Sequence, residues 1–377
     1  MSDTLRVLLV GDLILEEPEP DSFFELTRSV LRSAELVIGH VEVPHTRRGR
    51  ELAFDVPAPA ADPDHLAALA RAGFHVATLA GNHIFDRGPE GIVDTSAALA
   101  AGGIASCGAG LDLASARAPV VLQRELERKP LRIGVLSYNC VGPRESWASD
   151  TKAGCAYVRV VDRDGNDCNG PAAAGLKDSR AEASSVAAMQ ADIAELRART
   201  DLLIVALHKG IVHTPALLAG YERPLAHAAV EAGASIVVGH HAHILRGVEV
   251  FQGRPIFHGL GNFVTVTRAL DLDNAHPARR AWAQKRRELF GFTPDPAYPS
   301  YPFHPEAKHA LIADCRVDSS GRVRPGLLPC WILPSGQPEP LTRGPRGQAL
   351  LDYVAAISRT AGLTPQLDWD GDRIVFQ

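Results

Sequence analysis

The stretch Ile236 to Val264, IVVGHHAHILRGVEVFQGRPIFHGLGNFV, constrains the fold more than any other part of the chain. A short apolar run, Ser235 to Val238, stops at Gly239 and is followed at once by His240, His241 and His243. An apolar run bounded by glycine reads as a buried strand whose carboxyl end opens into a loop. Ligands in α/β sheets collect at the carboxyl ends of strands, so three imidazoles there are placed to hold a metal. One histidine alone would read as an incidental loop residue. A second apolar strand, Pro255 to Phe257, follows and leads into Gly259-Leu260-Gly261-Asn262-Phe263, a turn driven by its glycines.

The same design recurs upstream. Leu5 to Val10 is β-rich and runs into Gly11-Asp12; Glu35 to Ile38 runs into Gly39-His40-Val41-Glu42. Phe74 to Ala80 runs into Gly81-Asn82-His83-Ile84-Phe85-Asp86, where an amide oxygen, an imidazole and a carboxylate able to orient it fall within five residues. Leu202 to Leu207 runs into His208-Lys209-Gly210, with His213 close behind. Chance would scatter such residues along the strands as well as at their ends, so the series Asp12, Glu42, Asn82/His83, His208, His241/His243 points to one shared site. Helical segments separate the strands: Asp21 to Ala34, Pro63 to Ala72, Pro89 to Ala101, Leu225 to Ala232 and the amphipathic Ala181 to Arg199. Further strands are expected at Val120 to Leu122, Leu131 to Tyr138 and Ala156 to Val161. The loop Asp162 to Asp178 lacks the acidic spacing of an EF-hand.

With 377 residues the chain can bury a large core. A net charge of −5 recruits neither nucleic acid nor an anionic membrane. No apolar stretch approaches the roughly 18 residues of a membrane span, and the first ten residues lack the pattern of a signal peptide. The six cysteines contain no CxxC pair and read as reduced thiols. A cytoplasmic protein is expected.

Residues 266–306 break the rhythm with aromatics and basic residues, including Trp282, Arg279, Arg280 and Arg286. This segment is expected to act as a lid, its aromatic faces and an arginine clamp receiving substrate; a solvated arm or a dimer contact is the alternative. Residues 308–377 read as a hairpin, the helix Gln348 to Thr360 and a short terminal strand. No second domain is visible, so residues 1–377 are expected to form one.

Taken together, Gly11-Asp12, Glu42 with Pro44, Leu79-Ala80-Gly81-Asn82-His83-Ile84-Phe85-Asp86-Arg87-Gly88, His208-Lys209-Gly210, Gly239-His240-His241-Ala242-His243 and Leu260-Gly261-Asn262-Phe263 resemble the CapA family, which is tied to capsular poly-γ-glutamate synthesis. The resemblance runs from about residue 5 to residue 265. It implies an α/β fold, the four-layer α/β/β/α sandwich of calcineurin-like metallophosphoesterases. It also implies Asp12, Glu42, Asn82, His208, His241 and His243 as metal ligands, and His83 as the acid/base imidazole. Asp12, Asp86 and His240 complete the acid/base candidates. Several positions depart from the metallophosphoesterase pattern. Asp12 is followed by Leu13-Ile14 where those enzymes have Asp-x-His, Glu42 replaces a bridging Asp, His40 replaces an Asn, and Lys209 replaces a Trp.

Two-metal phosphoester hydrolysis needs ions roughly 3.5–4 Å apart. With one imidazole missing, a single divalent ion (Ca, Mn, Zn or Mg) is expected, beside spare acid/base groups suited to proton exchange at a Cα centre. An unanchored chain of this kind is similar to the peptide epimerases of lasso-peptide biosynthesis. The leading expectation is therefore a metal-dependent epimerase with a peptide substrate. A phosphoesterase and a non-catalytic accessory protein of anionic polyamide synthesis are the alternatives.

Overall fold

In a computed structural model, residues 4–52, 54, 56–127, 129–168, 176–271 and 275–377 are described. The first three residues, part of the loop Asp162 to Asp178 and the 272–274 part of the expected lid lie outside them. Among the described residues two large sheets carry the architecture. The first runs in the order Leu367–Asp370, Arg373–Phe376, Gly326–Ile332, His309–Val317, Leu5–Leu15, Leu36–Val41, Val76–Thr78 and Ala105–Cys107, with Asn262–Val266 also pairing with Leu5–Leu15. The second runs Val248–Phe251, Arg254–Phe257, Ile236–His241, Leu202–Lys209, Lys129–Asn139 and Val120–Leu126.

Alternation along the strands sorts side chains into separate cores, because successive residues point to opposite faces. In the second sheet Leu202, Ile204, Ala206, Ile236 and Val238 face Leu5, Val7, Leu9, Leu36 and Ile38 of the first, forming a core between the sheets. The intervening residues Leu203, Val205, Leu207 and Val237 face Met189, Ile193 and Leu196 of the helix Ala183–Arg197, and Leu225 and Ala229 of the helix Glu222–Glu231. On the far side of the first sheet, Leu8, Val10 and Val37 pack on Leu69 of the helix Ala67–Ala72 and on Ile92 and Leu99 of the helix Gly88–Ala101. Three cores between successive layers make a four-layer α/β/β/α sandwich. The helix Pro345–Thr360 packs on Gly326–Ile332 and on Val248–Phe251, one strand from each sheet, and so closes a side of the sandwich.

The central strands pair in parallel, so their carboxyl ends coincide. Asp12 lies opposite His40 and Asn262, and His208 lies opposite His240. Two glycines permit this convergence. The register of Leu5–Leu15 slips around Gly11, where a Cβ would overlap the Gly261 carbonyl; at Gly239 a Cβ would overlap the His258 carbonyl.

Two local expectations need revision. Ala156 to Val161 yields only the strand Val160–Val161, since the preceding residues are drawn onto the end of Lys129–Asn139 by single bonds, Asn139 N to Ala156 O and Val158 N to Asn139 O. Asp21 to Ala34 divides into the turn Ser22–Phe24 and the short helix Arg28–Arg32. The lid segment contains the helix Pro277–Phe290, started by proline in its first turn and ended by Gly291 in the left-handed conformation. No helix among the described residues is long and apolar enough to cross a membrane.

Gly239→Ala is expected to destabilise the fold by about 1–3 kcal/mol, the usual range for overpacking a tight site. A lower urea midpoint at unchanged slope reads this directly; an unmoved midpoint would remove the close approach to His258.

Candidate metal centre

Strand parity decides which polar groups meet. His40, His208 and His240 continue the positions that face the other sheet, and their rings meet at its carboxyl edge, His40 tilted against His208 with centres 4.6 Å apart and stacked on His240 at 4.8 Å. Asp12 and Glu42 come from the first sheet, Asn82 from the loop after Val76–Thr78, and His241 and His243 from the end of Ile236–His241. Three overlapping donor groups result, each with its ligand atoms within 4.8 Å: Asp12-His40-His208, Glu42-His208-His241 and Asp12-Glu42-His243.

The contacts within this cluster cannot all be hydrogen bonds. His208 Nε2 lies 2.9 Å from Asn82 Oδ1 and 3.1 Å from His241 Nδ1. A ring nitrogen carries at most one proton, so it cannot donate to both. Glu42 Oε2 and His40 Nε2 are buried without a hydrogen-bond partner. Such a set, rich in lone pairs and short of protons, fits a divalent cation, which draws N and O donors together without hydrogens between them.

Electrostatics give the same reading. Burial, then neighbouring imidazoles, hold His208 and His40 well below the usual histidine range. Burial likewise takes His241 down to about 3 and His240 to about 4. These imidazoles are therefore neutral, the form that ligates. His243 behaves oppositely. Burial opposes its charge, but Glu42, 3.1 Å from its Nε2, overcomes this together with Asp12 and raises it to about 9. Burial would raise Glu42, yet the His243 charge brings it to about 2. Burial and the Glu42 charge raise Asp12. His243 Nδ1 also lies 2.9 Å from Asn262 Oδ1, and Asn262 Nδ2 donates to Tyr301 at 2.8 Å.

A pocket opens over the cluster, lined among others by Glu42, His83, His213, Trp282, Arg286 and Phe303. His83 Nδ1 lies 2.7 Å from Asp86 Oδ2, a carboxylate that orients the ring. His213 stands on the other side, in the loop after Leu202–Lys209; its ring packs 5.2 Å from Phe290 and 5.1 Å from Phe292. That loop is pinned by the buried Arg246, which donates to the carbonyls of Ile211, Thr214 and Leu217. His213, His241 and His243 all hold positive φ (53°, 87° and 52°). Non-glycine residues held there typically cost about 1–3 kcal/mol each and cluster at functional sites.

The remaining sequence candidates are placed apart. His240 lies beneath the pocket, its Nε2 3.2 Å from the Val10 carbonyl. Trp282 and Arg286 line the pocket, whereas Arg279 is bound to both oxygens of Glu51 at 2.8 and 2.7 Å, and Arg280 is exposed. His40, Asn262 and Glu16 join the site unannounced. The parity of Leu36, Ile38 and His40 carried a signal for the first; Glu16, which accepts from Thr267, gave none.

The chain is similar to several known proteins. The family described as "Bacterial capsule synthesis protein PGA_cap" matches residues 6–267. A "probable polyglutamine synthesis accessory protein" of Mycobacterium tuberculosis is 34% identical over 203 residues, 54% of this chain and 48% of that one. The "PGA biosynthesis protein CapA" of Bacillus subtilis is 26% identical, covering 70% of this chain and 63% of that one. The chain thus spans about half the length of the mycobacterial relative it matches. Among solved structures, the calcineurin-like phosphoesterase YfkN of Bacillus subtilis aligns over 95% of this chain and 96% of its own, with a TM-score of 0.43 and 11% identity.

Metal affinity should rise with pH. In the metal-free protein His243 keeps a proton up to about 9, and an ion must displace it. Raising the pH through 9 removes that competitor, so affinity for Mn²⁺ or Zn²⁺ should climb by up to about tenfold per unit and then level off. The metal-free fold behaves in the opposite sense. Its stabilisation by His243 is complete below the ordinary 6.5 and is lost as pH rises through 9. Calorimetric titration across this range reads the first effect; Glu42→Gln should weaken binding and flatten the slope. Affinity that ignores pH would exclude His243 as a ligand.

Proposed function

The chain belongs to the bacterial capsule synthesis protein family PGA_cap, and from that footing we propose that it is a metal-dependent enzyme acting on an amide-linked chain, inverting a Cα centre by proton exchange. One observation carries this reading: two imidazoles reach the same pocket from different sheets, His83 from the loop after Val76–Thr78 and His213 from the loop after Leu202–Lys209. Inversion requires a base on each face of the carbon. One removes the Cα proton, the other returns a proton from the opposite side, and no other bond changes. His83 is fitted to hold a proton because the Asp86 carboxylate supports its charged form. His213 is fitted to accept one, because burial, then His243, keeps it neutral. A divalent ion on Glu42, Asn82, His208, His241 and His243 would polarise the substrate carbonyl and acidify the adjacent C–H.

Phosphoester hydrolysis is the second reading. The Asp12-His40-His208 group favours it, by offering an imidazole where a second ion would need one. The pocket walls argue the other way. Val212, Leu270, Phe290 and Phe303 are apolar, and among the described lining residues Arg286 is the one guanidinium or ammonium group, a poor setting for a phosphate dianion. An accessory role, as the mycobacterial relative's name has it, would need no acid/base pair at all.

Incubation with a panel of peptides in D₂O separates the three. Inversion predicts one deuterium at one Cα with the chain otherwise intact. His83→Ala should lower the exchange rate by about 10²–10⁴-fold, the usual loss for a positioned acid or base, while metal binding persists. Release of phosphate from aryl phosphates without deuteration would replace this reading by the second, and neither activity in metal-loaded protein would leave the accessory role.

A further inference from the structure

The pocket holds a buried cation that no ion pair among the described residues neutralises. Arg286, on the helix Pro277–Phe290, is only 3% exposed, and its Nη1 is buried without a hydrogen-bond partner. Among the described residues it forms no ion pair. Its neighbour two turns back shows what a structural arginine looks like here. Arg279 gives both oxygens of Glu51 and the Pro57 carbonyl a donor. The guanidinium of Arg286 instead rests over the Phe292 ring at 5.3 Å, among Trp282, Phe290, Phe303 and Leu270. Burial lowers it to about 10, and only the field of Asp271 opposes this. The pocket's two carboxylates are engaged elsewhere: Glu16 accepts from Thr267, and Glu42 pairs with His243.

Burying an uncompensated charge is costly, typically several kcal/mol. A folded protein retains such a group where a ligand completes it. We infer that Arg286 is the receptor for a substrate carboxylate, so that the substrate class is an amide-linked chain presenting a carboxylate with a bulky apolar side chain beside it. A guanidinium pairs with a carboxylate through two parallel hydrogen bonds, and the surrounding apolar walls strengthen the pair by excluding water. The carboxylate can come from a chain end or from an acidic side chain. This inference rests on the pocket and the amide-linked substrate proposed above, but not on the reaction proposed there.

Binding therefore tests it without turnover. Three probes differ only in their carboxylates: acetyl-Phe-Gln with a free end, acetyl-Phe-Glu-amide with a side-chain acid, and the neutral acetyl-Phe-Gln-amide. Titrated by calorimetry into the protein as isolated, at least one acid should bind tenfold or more tightly than the neutral probe. The tighter acid identifies the source. Arg286→Gln should bring all three to the same affinity, and Arg286→Lys, which keeps charge but not the fork, should retain part of the preference. Because Arg286 has no ion pair among the described residues to lose, only its contact with the Phe292 ring, Arg286→Gln should melt at or above the wild type, whereas removing an ion-paired structural arginine would lower the melting point. Equal affinity for acids and neutral probe, absence of binding by either acid at millimolar concentration, a preference that survives Arg286→Gln, or a lower melting point for that variant would overturn the inference.

Discussion

Two sheets packed face to face leave the inward-facing side chains at their strand ends little water to turn to, so polar groups there meet one another. Here the ends deliver the buried Asp12, His40, Glu42, His208, His240 and His241, with the partly exposed His243, into one region. Every other feature of the site answers to that crowding. Most of the imidazoles are pushed toward neutrality by burial; one, His243, is held charged between two acids. The cluster has more lone pairs than protons, and a divalent cation is the simplest group that satisfies it.

Support comes from behind as well. Lys209 Nζ and Glu222 Oε2 lie 2.8 Å apart with both side chains wholly buried, and the same ammonium reaches the His258 ring nitrogen and carbonyl at 3.2 Å. Glu249 then takes His258, His227 and Arg223. This chain of charges ties the strand that carries His208 to the one that precedes Gly259, on the side away from the pocket. A buried pair of this kind is weak evidence of stability, since desolvation offsets most of its attraction. Its geometric role is clearer: it holds the strand that carries His208 against the segment that leads into Asn262.

Much of this was legible in the chain. Period-two alternation and glycine-terminated apolar runs identify the central strands, and the recurrence of acids, amides and imidazoles after those runs identifies the site. What escaped the sequence depends on distant partners. Arg279 and Arg286 look alike in the chain, and only a carboxylate 228 residues away from Arg279 tells them apart. His40 departs from the metallophosphoesterase pattern in sequence, yet strand parity turns its ring toward Asp12 and His208. His213 is brought to the pocket by a left-handed backbone and a loop clasped by Arg246, neither of which leaves a local mark. Ala156 to Val161 has the residues of a strand but lies where the sheet offers it one partner at a time.

The left-handed backbones at His213, His241 and His243 bear on how these positions are best probed. Alanine removes an imidazole but keeps a Cβ in a conformation that disfavours one. Glycine removes the imidazole and releases the strain together, a difference of about 1 kcal/mol at such sites. Paired alanine and glycine replacements at one position therefore separate the worth of the ring from the tension in the chain that presents it. The stored tension, in turn, marks these three residues as the places where the backbone has most to gain by relaxing once nothing holds the rings in place.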